Sequence, residues 1–246
     1  MKRRDIKKII SLSSLYLNYI FQKSTIIIFS VSLALMVFAI IFIANPAYDR
    51  NQYFLSMNGF HEKYFTQSLF VLGIFNGIFV ATVVILLFLQ SNSFDSLFLS
   101  NTKRNTLVSS KVISSFILFL LMSLFEFILL FGIPLFLYPS YKMEYTSLLT
   151  ILYLFISMVF DYSLSIVLVI LVPTIFSPMV ILFLSTIKNM VVSAFTNLKD
   201  ILAEIIPILS YTNSQIEMKS IYIIPLFSLL LLAIYYSCYN IKDIRI

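Results

Sequence analysis

The chain has 246 residues, of which 60% are hydrophobic and only 11% are charged, and its mean hydropathy is +0.99. Soluble domains carry about 25% charged and about 45–50% apolar residues, so this composition excludes an ordinary soluble domain and indicates an integral membrane protein. The formal charge of +6 rests on 17 Lys and Arg, so where these few cations lie says more than their sum.

Residues 1–23 read as an amphipathic helix lying in the membrane interface. Ile6, Ile9, Ile10, Leu17 and Ile20 recur at helical spacing, with Ser13 on the same face. Lys2, Arg3, Arg4, Lys7, Lys8 and Lys23 surround them, which suits an apolar face in the headgroup boundary and cations near anionic lipid. The alternative is a basic cytoplasmic tail without a fixed pose. The polar lead is too long for a signal peptide and no small-residue cleavage site follows, so the first span is expected to remain as an anchor.

A helix crosses the hydrocarbon core with about 20 apolar residues. Six runs qualify: Thr25–Ala44, Ser68–Leu89, Val112–Tyr138, Ser147–Val172, Pro178–Ala194 and Ile221–Tyr239. The fifth carries Lys188 and Asn189. Pro173 and Pro178 bracket the short link PTIFSP, which stops one helix and starts the next. The expectation is an all-α membrane protein, a single membrane domain over residues 1–246 with six transmembrane helices.

Orientation follows the bias of Lys and Arg in short loops. With the N-terminus cytoplasmic, the inner side holds Lys2, Arg3, Arg4, Lys7, Lys8, Lys23, Lys103, Arg104, Lys111, Lys242 and Arg245. The outer side holds Arg50, Lys63, Lys142, Lys199 and Lys219. Eleven against five puts both termini inside. The outer segment 195–220 contains DILAEIIPILSY, an apolar helix-like stretch broken at Pro207 and too short to cross. It reads as a short re-entrant helical segment before the last span, or as an amphipathic loop lying on the outer leaflet.

The gap between apolar runs that holds the most cations is the inner break Gln90–Lys111, QSNSFDSLFLSNTKRNTLVSSK. It combines Lys103, Arg104 and Lys111 with the amphipathic segment SFDSLFL and a single acid, Asp95.

Three ionisable residues fall inside spans: Glu126, Asp161 and Lys188. A lone charge at the bilayer centre costs roughly 2.5–3.5 kcal/mol on insertion scales, so pairing is expected, with Lys188 between the two carboxylates at a common depth. Ser157, Asp161 and Ser165 are spaced by four, as are Ser185, Asn189 and Ser193; such stripes face other helices. The polar cluster Glu126, Asp161, Lys188 and Asn189 reads either as a structural ion pair or as a polar spot in a translocation cavity. In the second span Gly73, Gly77 and Ala81 form GxxxGxxxA, a small-residue stripe for close helix packing. Tyr138, Tyr141 and Tyr145 at one interface, and Tyr235, Tyr236 and Tyr239 at the other, suit interfacial belts.

Motifs for catalysis are missing. The single Cys238 closes no intrachain disulfide, His61 is alone, and no metal site is expected. There is no GxxxxGK[ST], HExxH or GxSxG. No catalytic residue is assigned.

The layout resembles the permeases of ABC type 2 exporters: a basic amphipathic lead, six spans with both ends inside, a cytoplasmic break after the second span and a broken outer helix before the sixth. The local match runs through Asp95–Leu99, Asn101–Thr102–Lys103–Arg104 and Ser109–Ser110–Lys111, with a short polar ending Tyr239–Asn240–Ile241–Lys242–Asp243–Ile244. The family's glutamate and glycine at the start of the break are replaced by Ser91 to Ser93, and its proline before the arginine by Thr102–Lys103. The resemblance implies a coupling helix resting in a groove on a separate ATPase subunit, with Phe94, Leu97 and Phe98 buried and Asp95 and Arg104 setting register. It also implies two ATPase copies carrying ATP and Mg, a second permease copy in a homo- or heterodimer, membrane lipid as surroundings, no cofactor in this chain and no nucleic acid. Rigid-body movement of the spans would give alternating access.

Leu-, Ile- and Phe-rich spans suit a lipophilic or amphipathic cargo. The Ile-, Asn-, Ser- and Lys-rich usage points to a low-GC bacterium; the resemblance to small type 2 permeases of such bacteria implies export of toxic peptides, with drug, lipid or ion export left open. Two other readings stand beside the exporter: a non-transporting membrane immunity or scaffold protein, and an intramembrane enzyme using Glu126 and Asp161.

Overall fold

The computed structural model describes residues 3–44, 57–91, 95, 102–137, 149–171, 179–180, 183, 211–212, 215–216 and 218–241. Through them run α1 (Arg3–Ile20), α2 (Lys23–Ala44), α3 (Met57–Val84), α4 (Arg104–Leu137), α5 (Leu149–Leu171) and α6 (Met218–Ile241). α3 continues without a break into a π-helical turn, Ile85–Gln90. The described residues are otherwise helical except for a two-rung antiparallel ladder, β1 (Tyr211–Thr212) on β2 (Gln215–Ile216).

Four helical stretches are long and apolar enough to cross a membrane: Thr25–Ala44, Gln67–Gln90, Arg104–Leu137 and Thr150–Leu171. They fall on the first four expected runs. α6 covers the sixth with a shorter apolar stretch, Ile223–Ser237. The fifth run, Pro178–Ala194, is described at only three positions, and the outer segment 195–220 only towards its end; PTIFSP lies outside the described residues.

α2 has the surface of a helix suited to a membrane. Its inner edge, Phe29, Met36, Ile40 and Ala44, is buried, while Ile27 and Phe38 are 64% and 69% exposed. An apolar helix that hides only one narrow edge leaves the rest for lipid.

α3, α4 and α5 form the packed interior, and α5 makes its most extensive contact with α6. Gly77 and Ala81 are buried on α3 and Gly73 is half-buried, so the small-residue stripe faces protein. Phe79 stacks between Phe29 of α2 and Phe119 of α4, at centroid distances of 5.1 and 6.2 Å.

α4 is 34 residues long, about 50 Å at 1.5 Å per residue, against a hydrocarbon thickness of about 30 Å. Hydropathy puts its start at Val112, but the helix begins eight residues earlier. Its polar first turns are helical because Leu107, Val108, Ser110 and Ser114 are buried, and the serines meet α1. Near the other end Pro134 sits inside the helix. Proline has no N–H to give the carbonyl four residues back, which here is Leu130. The buried Tyr64 hydroxyl of α3 donates to that oxygen at 3.0 Å, so the freed acceptor is satisfied from a neighbouring helix, as apolar surroundings require.

α1 corrects one expectation. Its buried face is Ile9, Leu12, Ser13, Tyr16 and Ile20, whereas Ile6 and Ile10 are 43% and 62% exposed. The cause is the partner. This face docks on α4 rather than on lipid, through three hydrogen bonds in step along both helices. Each hydroxyl shares its one proton between its own helix and the neighbour: Ser13 Oγ reaches the Ile9 carbonyl at 2.8 Å and the Ser110 carbonyl at 3.2 Å, Ser110 Oγ the Thr106 carbonyl at 2.7 Å and the Ile9 carbonyl at 3.3 Å, and Ser114 Oγ the Ser110 carbonyl at 2.7 Å and the Ser13 carbonyl at 3.0 Å. Small hydroxylated side chains let the two backbones approach closely and bond directly.

Candidate functional site

The described polar residues converge most densely where the break leaves α3 and rejoins at α4. The π-helical turn ends at Gln90. Ser91 Oγ donates back to the Leu87 carbonyl at 2.6 Å, and the Asp95 N–H donates to the Ser91 carbonyl at 2.8 Å. This bond from Asp95 to the carbonyl four residues back holds the Asp95 carboxylate inward.

Both carboxylate oxygens are engaged. Tyr16 of α1 donates its hydroxyl to Oδ1 at 2.6 Å. Oδ2 forms an ion pair with Lys111 of α4 and accepts from Ser91 Oγ at 3.3 Å. Lys111 Nζ also donates to Ser91 Oγ at 2.8 Å. The ammonium lies 5.5 Å from the Tyr16 ring centroid and 5.3 Å from that of Phe88, inside the range of cation–π attraction. Phe88 is held in turn by Tyr162 of α5 and Tyr235 of α6, at 6.1 and 5.8 Å. Tyr19 caps the arrangement, donating to the Gln90 carbonyl at 3.3 Å.

The pair is nearly enclosed, with Lys111 7% and Asp95 14% exposed. Burying two charges costs solvation that only good geometry and further hydrogen bonds return. Here the two hydroxyls and two rings supply that geometry. What the node fixes is the position of the break relative to α1, α3, α4, α5 and α6. The π-helical turn beside it fits the tendency of such turns to occur at functional sites.

Of the residues expected to couple to a partner, Asp95 turns to Lys111, Tyr16 and Ser91 of its own chain. Arg104, half-buried at the start of α4, also interacts within the chain. Phe94, Leu97 and Phe98 lie outside the described residues.

Two members of the expected intramembrane cluster are described. Glu126 is fully buried and accepts from Asn76 Nδ2 of α3 at 3.2 Å through Oε2. Asp161 is buried on α5 beside Ser165, on the inward stripe that the spacing predicts. Tyr162, next to Asp161, packs on Phe116 and Phe119 of α4 at 6.1 and 5.4 Å. Lys188 and Asn189 lie outside the described residues. Reasoning from charge alone passes over Asn76, Tyr16, Tyr64 and Tyr162. The signal for Asn76 was present: an amide in an otherwise apolar run that must face a polar partner.

An apolar cleft of about 210 Å³ opens between α2, α3 and α4. Phe29, Phe75, Phe79, Met36, Met122 and Phe125 line most of it, with Phe21 at one end and Ser32 as its polar contribution. Such a cleft offers dispersion and shape to a greasy group and no fixed polar handle. Among the described residues no three His, Cys, Asp or Glu gather as metal ligands.

No protein-family model matches the chain, and neither a curated protein nor a solved structure does.

Proposed function

We propose that this chain is the permease subunit of an ATP-driven exporter, moving a lipophilic or amphipathic substrate by alternating access driven by a separate ATPase. The observation that carries this reading is the Asp95–Lys111 node. A segment that takes a push from outside the membrane needs a rigid link to the helices it moves. Asp95 is linked by side chains to α1, α3 and α4 within one turn of chain.

The proposed topology keeps six spans with both termini cytoplasmic, a short re-entrant segment before the last span and a coupling turn at residues 92–101. In it Phe94, Leu97 and Phe98 face the ATPase and Asp95 faces the permease. ATP-driven closure of the ATPase pair presses on that turn, and the node passes the movement to α1, α3 and α4 together. The Phe-lined cleft between α2, α3 and α4 supports a greasy cargo, with toxic peptides as the specific class. ATP hydrolysis is assigned to the partner, and Glu126 and Asp161 are given no catalytic role in this reading.

The test is purification of the chain from its host in mild detergent, followed by ATPase measurement. An ATPase is expected to co-purify, with its activity coupled to the permease. Phe98→Asp is expected to abolish that coupling while the chain still folds. Purification without an ATPase, or coupling untouched by Phe98→Asp, would favour a scaffold or immunity protein instead.

A further inference from the structure

Glu126 and Asn76 leave two acceptors facing a problem that one proton solves. Both residues are buried, at 0% and 2% exposure, in helices that cross the membrane. Asn76 Nδ2 donates to Glu126 Oε2, yet Glu126 Oε1 and Asn76 Oδ1 have no partner. An ionised carboxylate there would have one amide N–H to replace its whole hydration shell, which is far too little in an apolar medium. A bound metal cation is a poor fit, because hard cations take six or more oxygen ligands and only these two are free at this level.

A carboxylic acid and a primary amide, by contrast, are complementary. The amide N–H donates to the acid's carbonyl oxygen, and the acid's O–H donates to the amide oxygen. We propose that Glu126 and Asn76 form a membrane-buried proton-binding site, in which a proton on Glu126 Oε1 is shared with Asn76 Oδ1 and clasps α3 to α4. The first of the two bonds is the one observed; the second uses both of the free acceptors. The proton adds to the carboxylate from solvent and leaves to solvent, and no other bond changes.

The surroundings leave the clasp to itself. Tyr64, one turn away on α4's scale, spends its hydroxyl on the Leu130 carbonyl. Met122 and Phe125, on the same stretch of α4, open into the apolar cleft. Asp161 neighbours Tyr162, whose ring meets α4 at Phe116 and Phe119, and Lys111 is fifteen residues before Glu126 and paired to Asp95. Lys188, outside the described residues, is the competing partner: an ion pair with it keeps Glu126 ionised. The clasp does not depend on the exporter reading, since it concerns only how α3 and α4 hold each other.

Infrared difference spectroscopy of the purified protein in lipid decides between these cases. At neutral pH the wild type is expected to show a protonated-carboxyl carbonyl band that is lost in Glu126→Gln and shifts in Asn76→Val, the shift reporting the lost bond to the amide. Glu126→Asp serves where the glutamine variant is poorly folded, and is expected to move the same band. No band assignable to Glu126 overturns the proposal, as does a band that Asn76→Val leaves unmoved.

Discussion

Lys111→Met tests the node most directly. Methionine keeps the unbranched stem between the Tyr16 and Phe88 rings and removes only the ammonium. Asp95, 14% exposed, is left with the Tyr16 and Ser91 hydroxyls. Removing one member of a buried pair costs about 3–5 kcal/mol, and the two surviving hydroxyl bonds place this case at the low end, about 3 kcal/mol. Asp95→Asn strands the ammonium instead, with a loss of about the same size by the same reasoning. The double variant strands neither charge and gives up only hydrogen bonds of about 1 kcal/mol each. It is therefore expected to be no less stable than either single variant, with a coupling of about 2 kcal/mol or more across the cycle. Denaturant unfolding in detergent micelles measures the three stabilities, and hydrogen exchange over α1 locates the loss. Additive losses, or a Lys111→Met protein within about 0.5 kcal/mol of wild type, would refute the view that this pair fixes the break.

Tyr64→Phe removes the donor that replaces Pro134's missing N–H and is expected to cost about 1–3 kcal/mol, the range for a buried acceptor left unpaired. In a Pro134→Ala background the same change is expected to cost almost nothing, because alanine returns the helical N–H to Leu130; equal costs in both backgrounds would remove the link. Ser13→Val is expected to loosen α1 from α4 by about 1–2 kcal/mol, seen as faster hydrogen exchange in residues 3–20. Ser11→Val, on the exposed side of the same helix, serves as the control and is expected to stay within about 0.5 kcal/mol.

Hydropathy carried the long helices well. The run starting at Thr25 lies inside α2, and that starting at Ser68 inside α3 and its π-helical continuation, because a span is defined by its solvent and lipid acts on every residue of it. The start of α4 was not legible that way. Residues 104–111 are polar, and they are helical because α1 covers them. The face of α1 was legible in part. Ile9, Ser13 and Ile20 of the expected face are buried, whereas Ile6 and Ile10 are exposed and Leu12 and Tyr16 stand inward beside the serine-lined α4. Charge matching was similarly partial. Asp95 and Lys111 were both visible as isolated charges, but the fold that makes them neighbours was not. For Glu126 a cation was sought at Lys188, which lies outside the described residues; the partner the structure does describe is the Asn76 amide, which charge matching alone passes over.

The π-helical turn from Ile85 to Gln90 bears on how this chain tolerates changes of length. Its bonds run to the fifth residue instead of the fourth, so the segment holds one residue more than an α-helix closing the same gap. In regular α-helix each residue turns the chain by roughly 100°, from 3.6 residues per turn. A one-residue deletion earlier in α3 swings Ser91 and Asp95 by that angle and carries them away from Lys111. The same deletion inside Ile85–Gln90 lets the turn close as ordinary α-helix, with both ends still in phase. The most strictly positioned residues of the break are thus preceded by the one stretch of α3 where the chain has length to spare.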